Sequence, residues 1–209
     1  EFNNIDDLKY ISNKTAAVII ETIQGEAGVR VPDSYFLKAL KNKCENEGAL
    51  LICDEIQSGI GRTGTPFAFE QFDIVPDILC LAKGLGAGMP IGAFIANKQL
   101  MQLFTYQPML GHITTFGGHP VCCAAGIAGI EVLKNEKLIE TVFEKELLFH
   151  DHLKHPTIKE VRSRGLMIAV QLDKMENVLK VCTLCLKKGV FVDWFLFCTD
   201  ALRIAPPLI

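Results

Sequence analysis

Short apolar runs recur along the chain, and several stop abruptly at an ionisable residue. "TAAVIIE" (residues 15–21), "ALLICDE" (49–55) and "DILCLAKG" (77–84) each contain four or five consecutive apolar positions with no polar alternation. Such runs, rich in Val, Ile and Leu, predict strands buried on both faces. "IGAFIAN" (91–97) predicts a fourth strand. Between the first two runs the period changes. "PDSYFLKALKNKCENEG" (32–48) places Phe36, Leu37, Leu40 and Cys44 on one helical face, opened by Pro32 and Asp33 and ended by Gly48. "GGHPVCCAAGIAGIEVLKN" (117–135) reads as a helix whose small residues permit close packing. "EKLIETVFEKELLFHDHLKH" (136–155) reads as one long amphipathic helix.

The pattern then shifts. "IKEVRSRGLMIAVQL" (158–172) and "GVFVDWFLF" (189–197) read as strands around a helix over 175–188, and "ALRIAPPL" (201–208) as a last short strand. The predicted class is α/β. Residues 1–140 are expected to form a mostly parallel sheet with helices on both faces. Residues 141–209 form part of a smaller α+β domain.

Composition narrows the function. The chain has 209 residues, 49% of them hydrophobic, and a mean hydropathy of +0.27. That is enough for a sizeable core, and it hints at burial against another chain. A net charge of −3 gives no electrostatic reason to expect nucleic acid or an anionic membrane. The longest nearly apolar run, residues 120–130, is too short for a bilayer, which needs roughly 20 apolar residues. "EFNNIDDLKY" at the start has no basic and apolar signal pattern. Eight cysteines are scattered, and the single CxxC, Cys182 to Cys185, has no second pair at zinc-like spacing. Buried thiols in a reducing, cytoplasmic compartment are expected, with no metal site.

Three apolar runs end in Glu21, Asp54 and Lys83. Ligands of open parallel sheets bind beyond the carboxyl ends of the strands, and neighbouring strands lie only about 4.8 Å apart. Such ends can share one pocket. A partly desolvated lysine can form a Schiff base with a carbonyl, and an aspartate can hold a pyridinium N–H, which is the division of labour around pyridoxal phosphate. Acids and lysines also sit at strand ends simply because solvent begins there, and spacing alone does not separate the two readings. Side chains alternate along a strand, so Glu55 is expected to face away from Asp54 and to serve the scaffold. Arg62 is expected to structure its Gly-rich loop, and Trp194 to pack in the small domain. His150, His152 and His155 read as a solvated helix end.

Five segments, "ETIQGEAGV", "LLICDEIQSGIGRTG", "PDILCLAKGLGAGMPIGAFIA", "TTFGGHPVCCAAG" and "LRIAPPL", resemble in order and spacing the class III (ornithine/acetylornithine-type) aminotransferases. The resemblance implies fold type I and pyridoxal 5'-phosphate as cofactor. It implies that Lys83 forms the internal aldimine and moves the proton, that Asp54 pairs with the ring nitrogen, and that Gln57 bonds the phenolic oxygen. Ile56 would pack on the ring face. Thr115 would contact the phosphate across a homodimer interface, so that the active site is shared. Glu26 and Arg203 resemble a switching pair, in which the arginine binds a substrate carboxylate and the glutamate masks it for an amine substrate. The implied reaction moves an amino group from an ornithine-like, acetylornithine-like or other ω-amino donor to 2-oxoglutarate. Decarboxylation, racemisation or an aminomutase reaction on the same scaffold stay open, as does a fragment with no catalysis of its own. The phosphate-binding turn, the ring-stacking aromatic and a second substrate arginine of the family's N-terminal half are not visible. The chain therefore resembles the C-terminal half of such an enzyme, expected to bind the cofactor poorly and to be inactive by itself.

Overall fold

Helix α1 (Ser34–Glu47) forms as its pattern predicts. The Asp33 carboxylate accepts a hydrogen bond from the Tyr35 amide at 2.8 Å and caps the first turn. Phe36, Leu37, Leu40 and Cys44 are its buried residues, one stripe laid on a sheet. The computed structural model describes residues 1–209.

That sheet contains β1 (Ala17–Glu21), β2 (Leu50–Asp54), β3 (Ile78–Leu81) and β4 (Ala93–Ala96), in the order β1-β2-β3-β4. The first three strands are parallel and β4 is antiparallel to β3. The link from β3 to β4 holds one tight helical turn, Lys83–Gly86. A parallel return needs a crossover of a dozen or more residues, usually with a full helix, so this chain folds straight back.

Leu51, Cys53, Leu79 and Leu81 are buried on the face that meets α1. The opposite face carries Ile19, 66% exposed, with Ile52, Ile78 and Cys80 only partly buried. One face is covered, because α1 alone among the helices lays its apolar stripe on this sheet. Helix α2 (Lys98–Gln102) is short and capped by Asn97. Helix α3 (Pro120–Asn135) packs instead on the Lys83–Gly86 turn. A side chain at Gly126 would come within 2.8 Å of the Leu85 carbonyl oxygen, so small residues are what bring this helix so near.

The helix expected over 136–155 is divided. Lys137 adopts a left-handed conformation, a tight turn covers Leu138–Thr141, and α4 is Val142–His152. The break drops Val142, fully buried, into a second core. A second sheet holds β5 (Glu160–Arg164), β6 (Met167–Gln171), β7 (Asp193–Trp194) and β8 (Ala201–Ile204), antiparallel in the order β5-β6-β8-β7, with α5 (Met175–Lys187) against it. Strand β7 is shorter than the expected 189–197 because Phe195 leaves the ladder to enter the first core, at 1% exposure.

Strand β6 joins the two halves. Met167 and Ala169 sit in the first core, while Ile168 and Val170 sit in the second with Leu166, Val178 and Leu202. Gly165 in the β5–β6 turn has φ +57°, and a Cβ there would lie 2.7 Å from the Thr63 carbonyl carbon. Only glycine lets this hairpin press against the loop after β2. No helix is long and apolar enough to cross a membrane.

Candidate active site

A cavity of about 950 Å³ lies between the loops after β2 and β3, helix α3 and the second sheet. Ile56, Gln57, Lys83, Asp193 and Arg203 line it. Lys83 enters it because β3 ends at Leu81 and the next residues turn sharply, with Ala82 extended and Lys83 itself at φ +45°. That is strained backbone for a residue with a side chain, the kind that persists where surroundings over-determine it. The Lys83 amine makes no ion pair or side-chain hydrogen bond with the rest of the chain.

Glu26 reaches the same place from the loop after β1. Its Oε1 accepts from Gln57 Nε2 at 3.1 Å and from Arg203 at 2.8 Å. Its Oε2 accepts from the Leu196 amide at 3.1 Å. Arg203, on β8, also donates to Asp193 of β7 at 2.5 Å. Gln57 is held close to the β1 loop, since a Cβ on Gly25 would overlap its side-chain oxygen at 2.5 Å.

Asp54 ends β2 opposite Glu21. Its carboxylate accepts one hydrogen bond, from the Ile56 amide at 3.0 Å, and forms no ion pair. Asp54 and Glu21 line a separate cavity of about 570 Å³ along β1, together with Phe2 and Gln24. Glu21 and Asp54 line this cavity and Lys83 the first. Glu21 meanwhile caps its own loop, accepting from the Gly25 amide at 2.8 Å.

Glu55 faces the other way, as alternation requires, and is 1% exposed. Its carboxylate accepts from the amides of Ala68 and Phe69, both at 2.7 Å, and from the Thr22 hydroxyl at 3.0 Å. Burial pushes its carboxyl above the usual range, and these three donors pull partly back. Thr115 does not line the cavity. It lies in an exposed stretch between α2 and α3, where Tyr106, Met109, Leu110, Ile113 and Phe116 are each more than 70% exposed.

Arg62 does more than shape its own loop. It lines the cavity, and its guanidinium donates to the carbonyls of Leu166 at 3.3 Å and Pro206 at 2.5 Å, tying the loop after β2 to the second sheet. Burial without a carboxylate partner lowers its pKa. The histidines stand apart: His150 meets Ser163, His152 the Leu148 carbonyl and His155 Thr157. Asp193 was not singled out by sequence reasoning. The available signal was a lone carboxylate inside the apolar run "GVFVDWFLF".

Comparison with known proteins fits this geometry. The family described as aminotransferase class-III matches residues 1–209. An acetylornithine aminotransferase of Methanocaldococcus jannaschii is 42% identical over all of this chain and 52% of its own length. Ornithine aminotransferase 2 of Staphylococcus aureus is 41% identical over all of this chain and 52% of its own. Among solved structures, an ornithine aminotransferase of Toxoplasma gondii, described with partial occupancy of pyridoxal phosphate at its active site, superposes with a TM-score of 0.89 at 34% identity. It is matched over 100% of this chain and 50% of that one. Acetylornithine aminotransferase of Elizabethkingia anophelis gives 0.89 at 35%, over 100% and 54%. The chain belongs to the class-III aminotransferases, and its fold is that of these enzymes. It spans about half the length of the curated relatives it matches.

Proposed function

We propose that the protein to which this chain belongs is a pyridoxal-phosphate-dependent transaminase. It would move an amino group from an ornithine-like, acetylornithine-like or other ω-amino donor to 2-oxoglutarate. The observation that carries the proposal is the free Lys83 amine, in one cavity with Gln57 and with an arginine, Arg203, masked by Glu26. The likeness to ornithine and acetylornithine aminotransferases supports it.

The residues present suit the cofactor. Lys83 offers an unpartnered amine, and Asp54 a carboxylate with no cation of its own at the neighbouring strand end. Lys83 would hold the cofactor through its Nζ, Asp54 would hold the ring nitrogen in its protonated form, and Ile56 and Gln57 would meet the ring and its oxygen. When bound, the group supplies an electron sink for the carbon next to the transferred nitrogen. Lys83 would take the proton from that carbon and return it one position along, as general base and then acid. Arg203 would receive a substrate carboxylate and Glu26 would mask it otherwise. The exposed apolar side chains around Thr115 support a homodimer in which Thr115 serves the partner's site. Residues 1–140 would belong to the large domain and 141–209 to the small one, each with its own sheet.

The test uses the full-length polypeptide with pyridoxal phosphate. Each candidate donor is added without acceptor, and conversion of bound cofactor to its amine form is followed by absorbance. Conversion by an ω-amino donor and reversal by 2-oxoglutarate is expected. No conversion by any donor would overturn the proposal.

A further inference from the structure

Glu26 stands at the tip of a small hairpin. Gln24 and Arg30 exchange both backbone hydrogen bonds at 3.0 Å, and the amides of Gly28 and Val29 fold back on the Gly25 carbonyl. Gly28, two residues after Glu26, closes the turn at φ +90°. These local bonds fix the shape of the hairpin but not its attitude toward Arg203, which contacts from outside must set.

A second segment, residues 195–198, meets the hairpin at Glu26. The Leu196 amide donates to the Glu26 carboxylate and the Phe197 amide to the Glu26 carbonyl, both at 3.1 Å. Behind the two segments lies Arg162 of β5. Its Nε donates to the Gly28 carbonyl at 2.9 Å, and one terminal nitrogen lies 3.7 Å from Cys198 Sγ. That nitrogen also donates to Gln171 at 2.8 Å, and the other to Glu160 at 2.5 Å. One rigid guanidinium fork, on a side chain only 12% exposed, therefore spans both segments that converge on Glu26. The seat is close: a Cβ on Gly28 would lie 2.6 Å from Cys198 Sγ and 3.0 Å from the Arg162 nitrogen beside it. Arg162 does not itself line the cavity, so whatever it contributes there passes through Glu26.

We propose that Arg162 is a positioning residue for Glu26, clamping the hairpin to residues 195–198 so that the carboxylate stands on Arg203 and Gln57. The inference rests on the transaminase reading, in which Glu26 masks Arg203 for an amine substrate. In the full-length holoenzyme, Arg162→Met removes the donors and keeps the buried stem. The ratio of kcat/KM for 2-oxoglutarate to that for the ω-amino donor should rise about tenfold through KM, the order expected when one charge-assisted hydrogen bond to Arg203 is lost. In a Glu26→Gln background the same substitution should change the ratio by less than about twofold, because a residue acting through Glu26 has nothing left to act on. Arg162→Lys keeps the charge and loses the fork, and carries the same cycle if Arg162→Met does not fold. Hydrogen exchange reads the clamp without turnover. The Leu196 and Phe197 amides should exchange about tenfold faster in the variant while the β5–β6 ladder keeps its protection. An equal change of ratio in both backgrounds, no change in either, or loosening spread through the β5–β6 ladder overturns the role of Arg162. A wild type that transaminates nothing overturns the functional reading instead, and hydrogen exchange then decides on Arg162 alone.

Discussion

Asp54 and Glu55 are adjacent in sequence and stand on opposite faces of the sheet's end. Asp54 opens on a cavity and forms no ion pair, and Glu55 is sealed at 1% exposure under three hydrogen-bond donors. One carboxylate is kept available and its neighbour is consumed by the scaffold. The buried one stitches β1, β2 and the turn Ala68–Phe72 together.

Glu55→Gln should destabilise the fold by about 1–3 kcal/mol near neutral pH, because a side-chain N–H would face one of the amides that now donates to it. The pH dependence has a definite sign. Burial raises the folded carboxyl above its unfolded value, so the folded state binds more protons between the two. This group's contribution is present below the unfolded value, near 4.3, and is lost as pH rises through the raised folded one. Urea unfolding from pH 4 to 8 checks it. A wild type whose stability, relative to Glu55→Gln, does not fall over that range contradicts the reading.

Arg62→Ala should loosen the second sheet from the loop after β2, costing about 2–4 kcal/mol through the carbonyls of Leu166 and Pro206 left without their donor. Hydrogen exchange should localise the change to the β5–β6 turn and residues 204–208. Uniform protection across that region would refute it.

Two glycines should respond differently to alanine. Gly165→Ala meets the Thr63 backbone at 2.7 Å and should cost more than about 3 kcal/mol, whereas Gly48→Ala, also at positive φ but with open space around it, should cost about 1 kcal/mol. Equal losses in thermal unfolding would show that the contact is not tight.

Thiol chemistry should divide the cysteines by burial. Cys53 is fully buried, and burial raises its pKa to about 12. Cys44 is also buried, and burial raises its pKa too. At pH 8 both should resist alkylation in the folded chain and react on unfolding. Mass spectrometry reads this directly, and rapid native labelling of Cys53 would count against the packing described.

Lys83→Ala should lower turnover of the full-length enzyme by about 10³-fold or more while leaving the fold intact, since the amine has no structural partner to lose. Unaltered turnover would remove Lys83 from the chemistry.

Local signals were read well from sequence. The stripe of α1 and its Asp33 cap involve neighbours within a turn or two, and the ends of β2 and β3 are marked by where apolar residues stop. What escaped depended on relations between distant segments. Nothing near residue 93 says that β4 runs backwards; the length of its connection does. Asp193 gains meaning only when the β7–β8 register sets it against Arg203. The break at Lys137 rests on a left-handed residue that no glycine or proline announces.

The left-handed backbone of Lys83 has a consequence for how this chain can change. Glycine would relax that turn, so Lys83→Gly is among the few substitutions expected to make the polypeptide steadier, by about 1 kcal/mol. Under the proposed chemistry, drift toward thermal robustness would pull against the residue that carries it. On that reading a lysine at this position is held by selection for turnover, and a lineage released from that selection should lose it early.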